Sequence, residues 1–408
     1  MISREQPQDQ ISHGQPFMTE PPAQRVLFVQ PFSVGGNGGG SRILTSMIKG
    51  QPFDKLSINS NRKSGPALDW IEERHLPIRP ALGRLDRSRF ATIGDWLEIF
   101  TRPGFEKKLA REMEKWRPDV VHVIPQGVCD FHLAWRLARA RGCRVVMSVH
   151  DDLIYSLRDY HPFRDEALRL LGEMWRDADH AFVISQEMGE EYNTRYGKRS
   201  FEIITDGLEE IPAHPTPMTE GRLQVYFMGL FHYNYRENLR ALARALARLK
   251  NDRPEMEIGL ILRCGDLGRD LDLDFPVRVL PFAGQETILD DMTRADLLYL
   301  PLPFGEQYEA LTRHSLSTKM VSYLGSGVPI LLHGPSESAA SRFLLGHRAA
   351  LACPSLDENV MAQALKIIDD PKTKMEIVEN ALTLARTSFP LEELRRKFAN
   401  GLLTKNQR

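Results

Sequence analysis

The feature that most constrains this chain is an alternation of short apolar runs with helical stretches, repeated in two series. Residues 25–32 (RVLFVQPF), 119–125 (DVVHVIP), 144–150 (RVVMSVH), 180–185 (HAFVIS) and 201–207 (FEIITDG) read as buried strands, with helical stretches such as FHLAWRLARARG between them. Strands separated by helices pair in parallel, because each return crossover carries the chain over one face of the sheet. The texture then breaks. Residues 207–222 (GLEEIPAHPTPMTEGR) carry Pro212, Pro215 and Pro217 without periodicity, which predicts an interdomain linker. A second series starts with LQVYFMG at Leu223 and continues through MEIGLILRCG, VRVLPFAG, DLLYLPLPF and VPILLHG. Residues 238–250 place Leu239, Leu242, Leu246 and Leu249 on one helix face.

The expected architecture is therefore α/β, with two Rossmann-like, doubly wound parallel-sheet domains at 25–206 and 223–385, joined by 207–222. Residues 386–408 are expected to form a crossover helix that packs back, its apolar face made by Leu391, Leu394, Phe398 and Leu402 after Pro390. Residues 1–24, rich in Gln, Pro and Ser, are expected to be a disordered tail. Ligands of doubly wound sheets sit beyond the strands' carboxyl ends, so the cleft between facing domains is the expected site.

Composition excludes several function classes. Lys and Arg number 53 against 54 Asp and Glu, a balance that gives no support to a nucleic-acid-binding role. Cys129, Cys143, Cys264 and Cys353 are far apart and form no C-x-x-C pair, which suggests neither a disulfide framework nor a zinc site. No apolar run approaches the length of a membrane span, and a cytoplasmic location is expected.

Three places carry chemistry. Residues 317–335 (STKMVSYLGSGVPILLHGP) read as helix, turn and buried strand: Ser317 and Thr318 as caps, Met320, Tyr323 and Leu324 as the apolar face, Gly325 and Gly327 as the stop. The open helix N-terminus and Lys319 favour an anion, most naturally a phosphate. The loop after the first strand, Ser33 to Arg42, is glycine-rich. Gly38 and Gly39 let backbone amides approach a ligand, although a flexible turn has the same composition. It lacks the third small residue of a dinucleotide fingerprint, because Ser41 and Ile43 stand where Gly or Ala is needed. In SVHDD, His150 ends a strand and is followed by Asp151 and Asp152. A histidine there suits hydrogen bonding to a sugar hydroxyl or base catalysis oriented by Asp151, while the aspartates equally suit helix capping.

Lys319, Tyr323, Gly327 and Pro329 form a K-x-x-x-Y-x-x-x-G-x-P pattern that resembles the nucleotide-sugar half of GT-B glycosyltransferases of the family 4 type. The order of segments from about residue 25 to 400 agrees with that resemblance, including the Asp206-Gly207 turn closing the first domain. It implies a nucleotide-diphosphate sugar as co-substrate and no other cofactor. The diphosphate would be held by Gly38, Gly39, Gly229, Arg236, Ser317, Thr318 and Lys319, and the nucleoside by Phe282, Gly284, Ser322 and Tyr323. His150 and Asp151 would stand at the sugar. The first domain would take a glycan, lipid-linked or small-molecule acceptor, with retention and without metal. Arg263 is a second basic candidate, Arg236 also suits a solvated helix start, and Phe282 also suits a core position.

The sequence departs from the pattern in one respect. The family's E-x7-E pair falls on His314 and Ser322, which leaves Arg313 and His314 as candidates for the first glutamate's role. That departure motivates an alternative, a protein of this fold that binds without catalysis. A nucleotide-sugar epimerase of the same fold is another, and an NAD-dependent oxidoreductase a third. Residues 270–274 (DLDLD) read as a solvated acidic turn in place of a metal site. Residues 84–117 mix basic and aromatic side chains and read as a surface helix, with weak contact to the inner membrane face as the other reading.

Overall fold

The computed structural model describes residues 24–82, 91–157, 159–216, 219–267 and 271–404. The expected tail, apart from Gln24, lies outside the described residues, as do 84–90, Pro217, Met218 and Asp270.

The first domain is a seven-stranded sheet in the order β3-β2-β1-β4-β5-β6-β7. Its strands are β1 Arg25–Gln30, β2 Asp54–Asn59, β3 Glu72–His75, β4 Val120–Val123, β5 Arg144–Val149, β6 His180–Val183 and β7 Glu202–Ile203. All its ladders are parallel. β4, β6 and nearly all of β1 and β5 are buried, as uniformly apolar runs covered by helices on both faces must be. The edge strand β3 (EERH) has no buried position. Strand order reverses between β1 and β4, so the loops that follow those two strands part and leave a crevice.

The second domain repeats the plan with six strands in the order β10-β9-β8-β11-β12-β13. They are β8 Arg222–Met228, β9 Glu257–Arg263, β10 Arg278–Leu280, β11 Leu297–Pro301, β12 Ile330–His333 and β13 Leu351–Cys353. Here the reversal lies between β8 and β11.

The chain crosses between the domains twice, and the crossings lie side by side. Leu208 pairs in parallel with Pro390; its N–H donates to Phe389 O at 2.8 Å and its carbonyl accepts from Leu391 N at 3.0 Å. The helix Leu391–Leu403 then returns to the first domain, where Leu391, Leu394, Phe398 and Leu402 join that domain's core. Arg144 donates to the carbonyls of Leu402 and Gly401 at 3.0 and 2.9 Å, satisfying the orphan acceptors at the helix end. Phe398 packs against His122 and Phe182 and is 2% exposed.

Candidate active site

The two switch points face one another across a cleft of about 1460 Å³. Its first-domain wall begins with the glycine loop after β1. Gly38 caps the ten-residue helix Gly39–Ile48 with its amides open, and a side chain at Gly38 would meet nothing within 4 Å. A Cβ on Gly40 would lie 3.0 Å from the Phe32 ring and 3.3 Å from His150 Nδ1, so any side chain at position 40 would press on the imidazole. The loop reaches the other domain: a Cβ on Gly39 would be 3.5 Å from Thr318 Cγ2.

His150 follows β5 at the rim of the first sheet and is 7% exposed. Its Nδ1 is buried without a hydrogen-bond partner among the described residues, and burial pulls its pKa down to about 4. At neutral pH this histidine is therefore uncharged, with one ring nitrogen donating and the other accepting. Asp151 also lines the cleft and accepts a hydrogen bond from Gln126 Nε2; burial, and then the neighbouring Asp152, raise its pKa. Asp152 has a different task. It caps the short helix Leu153–Ser156 through Ile154 N and pairs with Arg195 at 3.0 Å.

The opposite wall is built around Lys319, on the helix Thr318–Leu324. Its ammonium lies 5.5 Å from the Phe227 ring centroid and 5.8 Å from that of Tyr235, with no carboxylate partner among the described residues. Burial, which strips water from the ammonium, lowers its pKa from 10.5 to about 8. Gly229, which ends β8, makes room for it. Its φ is +96°, and a Cβ there would fall 2.8 Å from Lys319 Cε. Ser317 and Thr318 line the cleft beside the lysine; Ser317 stands at the cap position with extended backbone but makes no capping bond through its side chain. The helix has only seven residues, so positive charge on this wall comes from the lysine far more than from aligned backbone dipoles.

Phe282 is 49% exposed at the mouth of the cleft. Two neighbours fix its loop. Arg263 donates to Pro281 O at 2.9 Å while paired with Asp291, and Gly265, at φ +81°, would place a Cβ 2.7 Å from the Phe282 ring.

Three expected site residues stand elsewhere. Arg236, at the start of the helix Arg236–Asp252, does not line the cleft; its guanidinium lies 4.8 Å from the Tyr233 ring centroid, because the loop after β8 turns that helix start aside. Tyr323 is fully buried, and its hydroxyl accepts from Met228 N at 3.1 Å, so it anchors the end of β8 beneath the site. Gly284 caps the helix Gln285–Thr293 and is not part of the lining, whereas Ala283, Gln285 and Glu286 are.

Neither candidate for the missing glutamate reaches the cleft. Arg313 pairs with Glu309 at 2.7 Å on the surface, and His314 is buried with Nε2 3.8 Å from Glu191. Ser322 does line it, and its hydroxyl accepts a hydrogen bond from Arg42 Nη2 at 2.8 Å. Arg42 in turn pairs with the buried Asp206 at 2.6 Å, linking the end of the first domain to the helix that carries Lys319. Arg42 was not identified from the sequence, since it sits inside an amphipathic helix and its partners are 164 and 280 positions away. Asp130, Glu98 and Gln126, on the first-domain wall, were not identified from the sequence either, since no local motif marks them. Of the DLDLD segment, Asp274 pairs with Arg244 at 3.2 Å, and among the described residues no three His, Cys, Asp or Glu side chains are grouped to hold a metal.

The model of Glycosyltransferase Family 4 matches residues 78–210, the part of the first domain that carries Asp130, His150 and Asp206. Solved structures match nearly the whole chain. Sucrose-phosphate synthase of Thermosynechococcus elongatus superposes with a TM-score of 0.63 at 13% identity, covering 92% of this chain and 98% of that one. The chain has the GT-B fold. HepE of Anabaena, solved with UDP, shares this GT-B architecture at a TM-score of 0.62 and 16% identity, over 93% and 99% of the two chains. Trehalose 6-phosphate synthase of Burkholderia multivorans does so at 0.62 and 14%, over 94% and 96%. No curated protein matches the sequence. The cleft described above lies between the two domains, with Lys319 on the second-domain side and His150 on the first. No helix among the described residues is long and apolar enough to cross a membrane.

Proposed function

We propose that the chain transfers a sugar from a nucleoside diphosphate sugar to a glycan, lipid-linked or small-molecule acceptor, with retention and without metal. The observation that carries this reading is Lys319, an ammonium held against two aromatic rings with no carboxylate partner among the described residues, in a cleft whose far wall bears His150. A cation desolvated in this way gains most from a ligand that brings concentrated negative charge. Breaking the bond between sugar and diphosphate develops such charge on the leaving group, so Lys319 would stabilise the transition state more than the bound donor. The open amides at Gly38 and Gly39 and the hydroxyls of Ser317 and Thr318 supply further donors to the same group. His150, uncharged at neutral pH, would hydrogen-bond a sugar hydroxyl, with Asp151 beside it. Phe282, exposed at the mouth, offers a face on which a nucleobase can stack.

Acceptor and location rest on the first domain. Ile93, Trp96 and Phe100 lie exposed on the helix Ala91–Trp116, which also sends Glu98 into the cleft, and a peripheral contact with the inner membrane face would suit them. The reading is tested by following UDP release from a panel of UDP-sugars. Lys319→Ala and His150→Ala should each lower turnover about 100-fold or more, and unchanged turnover in either variant removes that residue from the mechanism.

A second reading, binding without catalysis, is favoured by one contact. The Arg42 guanidinium occupies Ser322, where the family pattern has a carboxylate. Under that reading UDP raises the unfolding midpoint, yet no sugar is released from any donor. An epimerase would instead yield an altered sugar with no acceptor present.

A further inference from the structure

The first-domain wall of the cleft contains, besides His150 and Asp151, three polar residues that the donor reading leaves unused: Asp130, Glu98 and Gln126. Asp130 opens the helix Asp130–Ala140 directly after the loop that follows β4, and it is 2% exposed. Its carboxylate accepts from Ser60 Oγ at 2.5 Å and from Phe131 N at 3.0 Å, two bonds that fix its orientation. A Cβ on Gly127 would lie 2.2 Å from Asp130 Oδ1, so only glycine at 127 leaves room for the carboxylate at this wall. Glu98 enters from the helix Ala91–Trp116 and lies 3.7 Å from Arg79. Burial first, and then the nearby Asp130, raise its pKa to about 7, so at neutral pH it is a mixture of hydrogen-bond donor and acceptor. Gln126 and Asp151 bond one another at the same wall.

A separate observation points to a ligand here. His150, 93% buried by its 7% exposure, turns an unpartnered Nδ1 toward the space left by Gly40, in the same cleft. A buried nitrogen without a partner carries a cost that a hydroxyl group arriving with the ligand removes. Around Glu98, Asp130 and Asp95 act against ionisation, while Arg79 and Arg62 favour it. Fixed carboxylates, one carboxyl able to donate, a primary amide and a neutral imidazole form a set that recognises hydroxyl groups, which both donate and accept. A phosphate brought here would add negative charge beside three carboxyl groups whose own ionisation burial already disfavours.

We propose that this wall binds the acceptor as an uncharged, hydroxyl-rich sugar ring held by Asp130 and Glu98, and that it disfavours an acceptor whose reacting end carries a phosphate. The proposal rests on the sugar-transferase reading, and its test is arranged so that the two can fail separately. Saturation-transfer NMR on the full chain, with and without saturating UDP, would be run against methyl α-glucoside, methyl α-mannoside, methyl α-galactoside, N-acetylglucosamine and glucose 6-phosphate. At least one neutral probe is expected to show transfer, with binding weakened about tenfold by Asp130→Asn, the effect of losing a charge-assisted hydrogen bond. Glu98→Gln, on a partly exposed helix face, is the second variant and serves if Asp130→Asn does not fold; it should weaken the same probe about threefold. The UDP-induced shift of the unfolding midpoint, measured on the same samples, should be unchanged in both variants. Stronger transfer to glucose 6-phosphate than to every neutral probe overturns the proposal, as does silence from all neutral probes or unaltered binding in a folded variant. Failure of UDP to shift the wild-type midpoint counts against the donor reading alone.

Discussion

Lys319 combines a structural cost with a functional gain, and replacing it by methionine separates the two. A pKa brought from 10.5 to about 8 means the folded protein holds the charged ammonium less well than the unfolded chain does. At 1.36 kcal/mol per pH unit that difference is roughly 3 kcal/mol. Part of the lysine's favourable contact, about 0.5–1 kcal/mol for each ring it faces, would also be lost on substitution. Lys319→Met keeps the unbranched stem, removes the charge and should stabilise the ligand-free protein by roughly 1–2 kcal/mol, or about 2–8 °C for a domain of this size. The sign can be checked against pH. Because the folded pKa lies below the unfolded one, the cost is present in full below about pH 8 and is relieved as pH rises from 8 toward 10.5. Wild-type stability should therefore climb over that window relative to the Met variant, whose profile lacks this contribution. UDP should act in the opposite sense. It should stabilise the wild type by about 2.7 kcal/mol at a concentration 100 times its Kd, less so above pH 8 as the ammonium loses its proton, and it should leave the Met variant almost unmoved. Scanning calorimetry with and without UDP at several pH values reads all of this. A Met variant that is less stable than wild type, or that gains as much from UDP, refutes the reasoning.

Other outcomes follow from the same geometry. Arg236→Ala should leave UDP affinity within about twofold of wild type by calorimetric titration, since its guanidinium lies over Tyr233 and outside the cleft. Gly265→Ala forces a β-carbon at φ +81° against the Phe282 ring; it should cost about 1–3 kcal/mol in urea unfolding and weaken UDP more than it weakens inorganic pyrophosphate. Arg42→Ala removes the guanidinium that pairs with the buried Asp206 carboxylate and should destabilise the fold by about 1–3 kcal/mol, with the loss shrinking in Arg42→Lys. The imidazole of His150, with a pKa near 4, should give no inflection in turnover between pH 5.5 and 7.5, and a His150-dependent step in that range contradicts its assignment as a neutral group.

The fold was legible because buried parallel strands have a signature that survives in one sequence. Each apolar run from 25–32 to 328–334 became a strand, most of them shortened to a hydrogen-bonded core. The strands that escaped notice were edges. β3 is made of Glu72, Glu73, Arg74 and His75, and β13 has only three residues, so neither shows the apolar run that burial on both faces produces. The cleft lining was legible where a residue ends a strand or stands beside a glycine, as with His150 after β5 and Lys319 next to Gly229. It was misread where a side chain's direction decides. Arg236 and Tyr323 each directly follow a residue that lines the cleft, Tyr235 and Ser322, but local backbone geometry turns Arg236 onto Tyr233 and Tyr323 beneath β8. Arg42, Asp130 and Glu98 were hidden because what gives them a role is a partner distant in sequence, and helix periodicity carries no record of such pairings.

The most direct measurement is a crystal structure of the full chain with UDP bound. The diphosphate should lie in the interdomain cleft with an oxygen within hydrogen-bonding distance of Lys319 Nζ, His150 across the remaining space, and the base near Phe282. A nucleotide seated on either domain's outer face, or one in the cleft whose phosphates point away from Lys319, contradicts the account at its root.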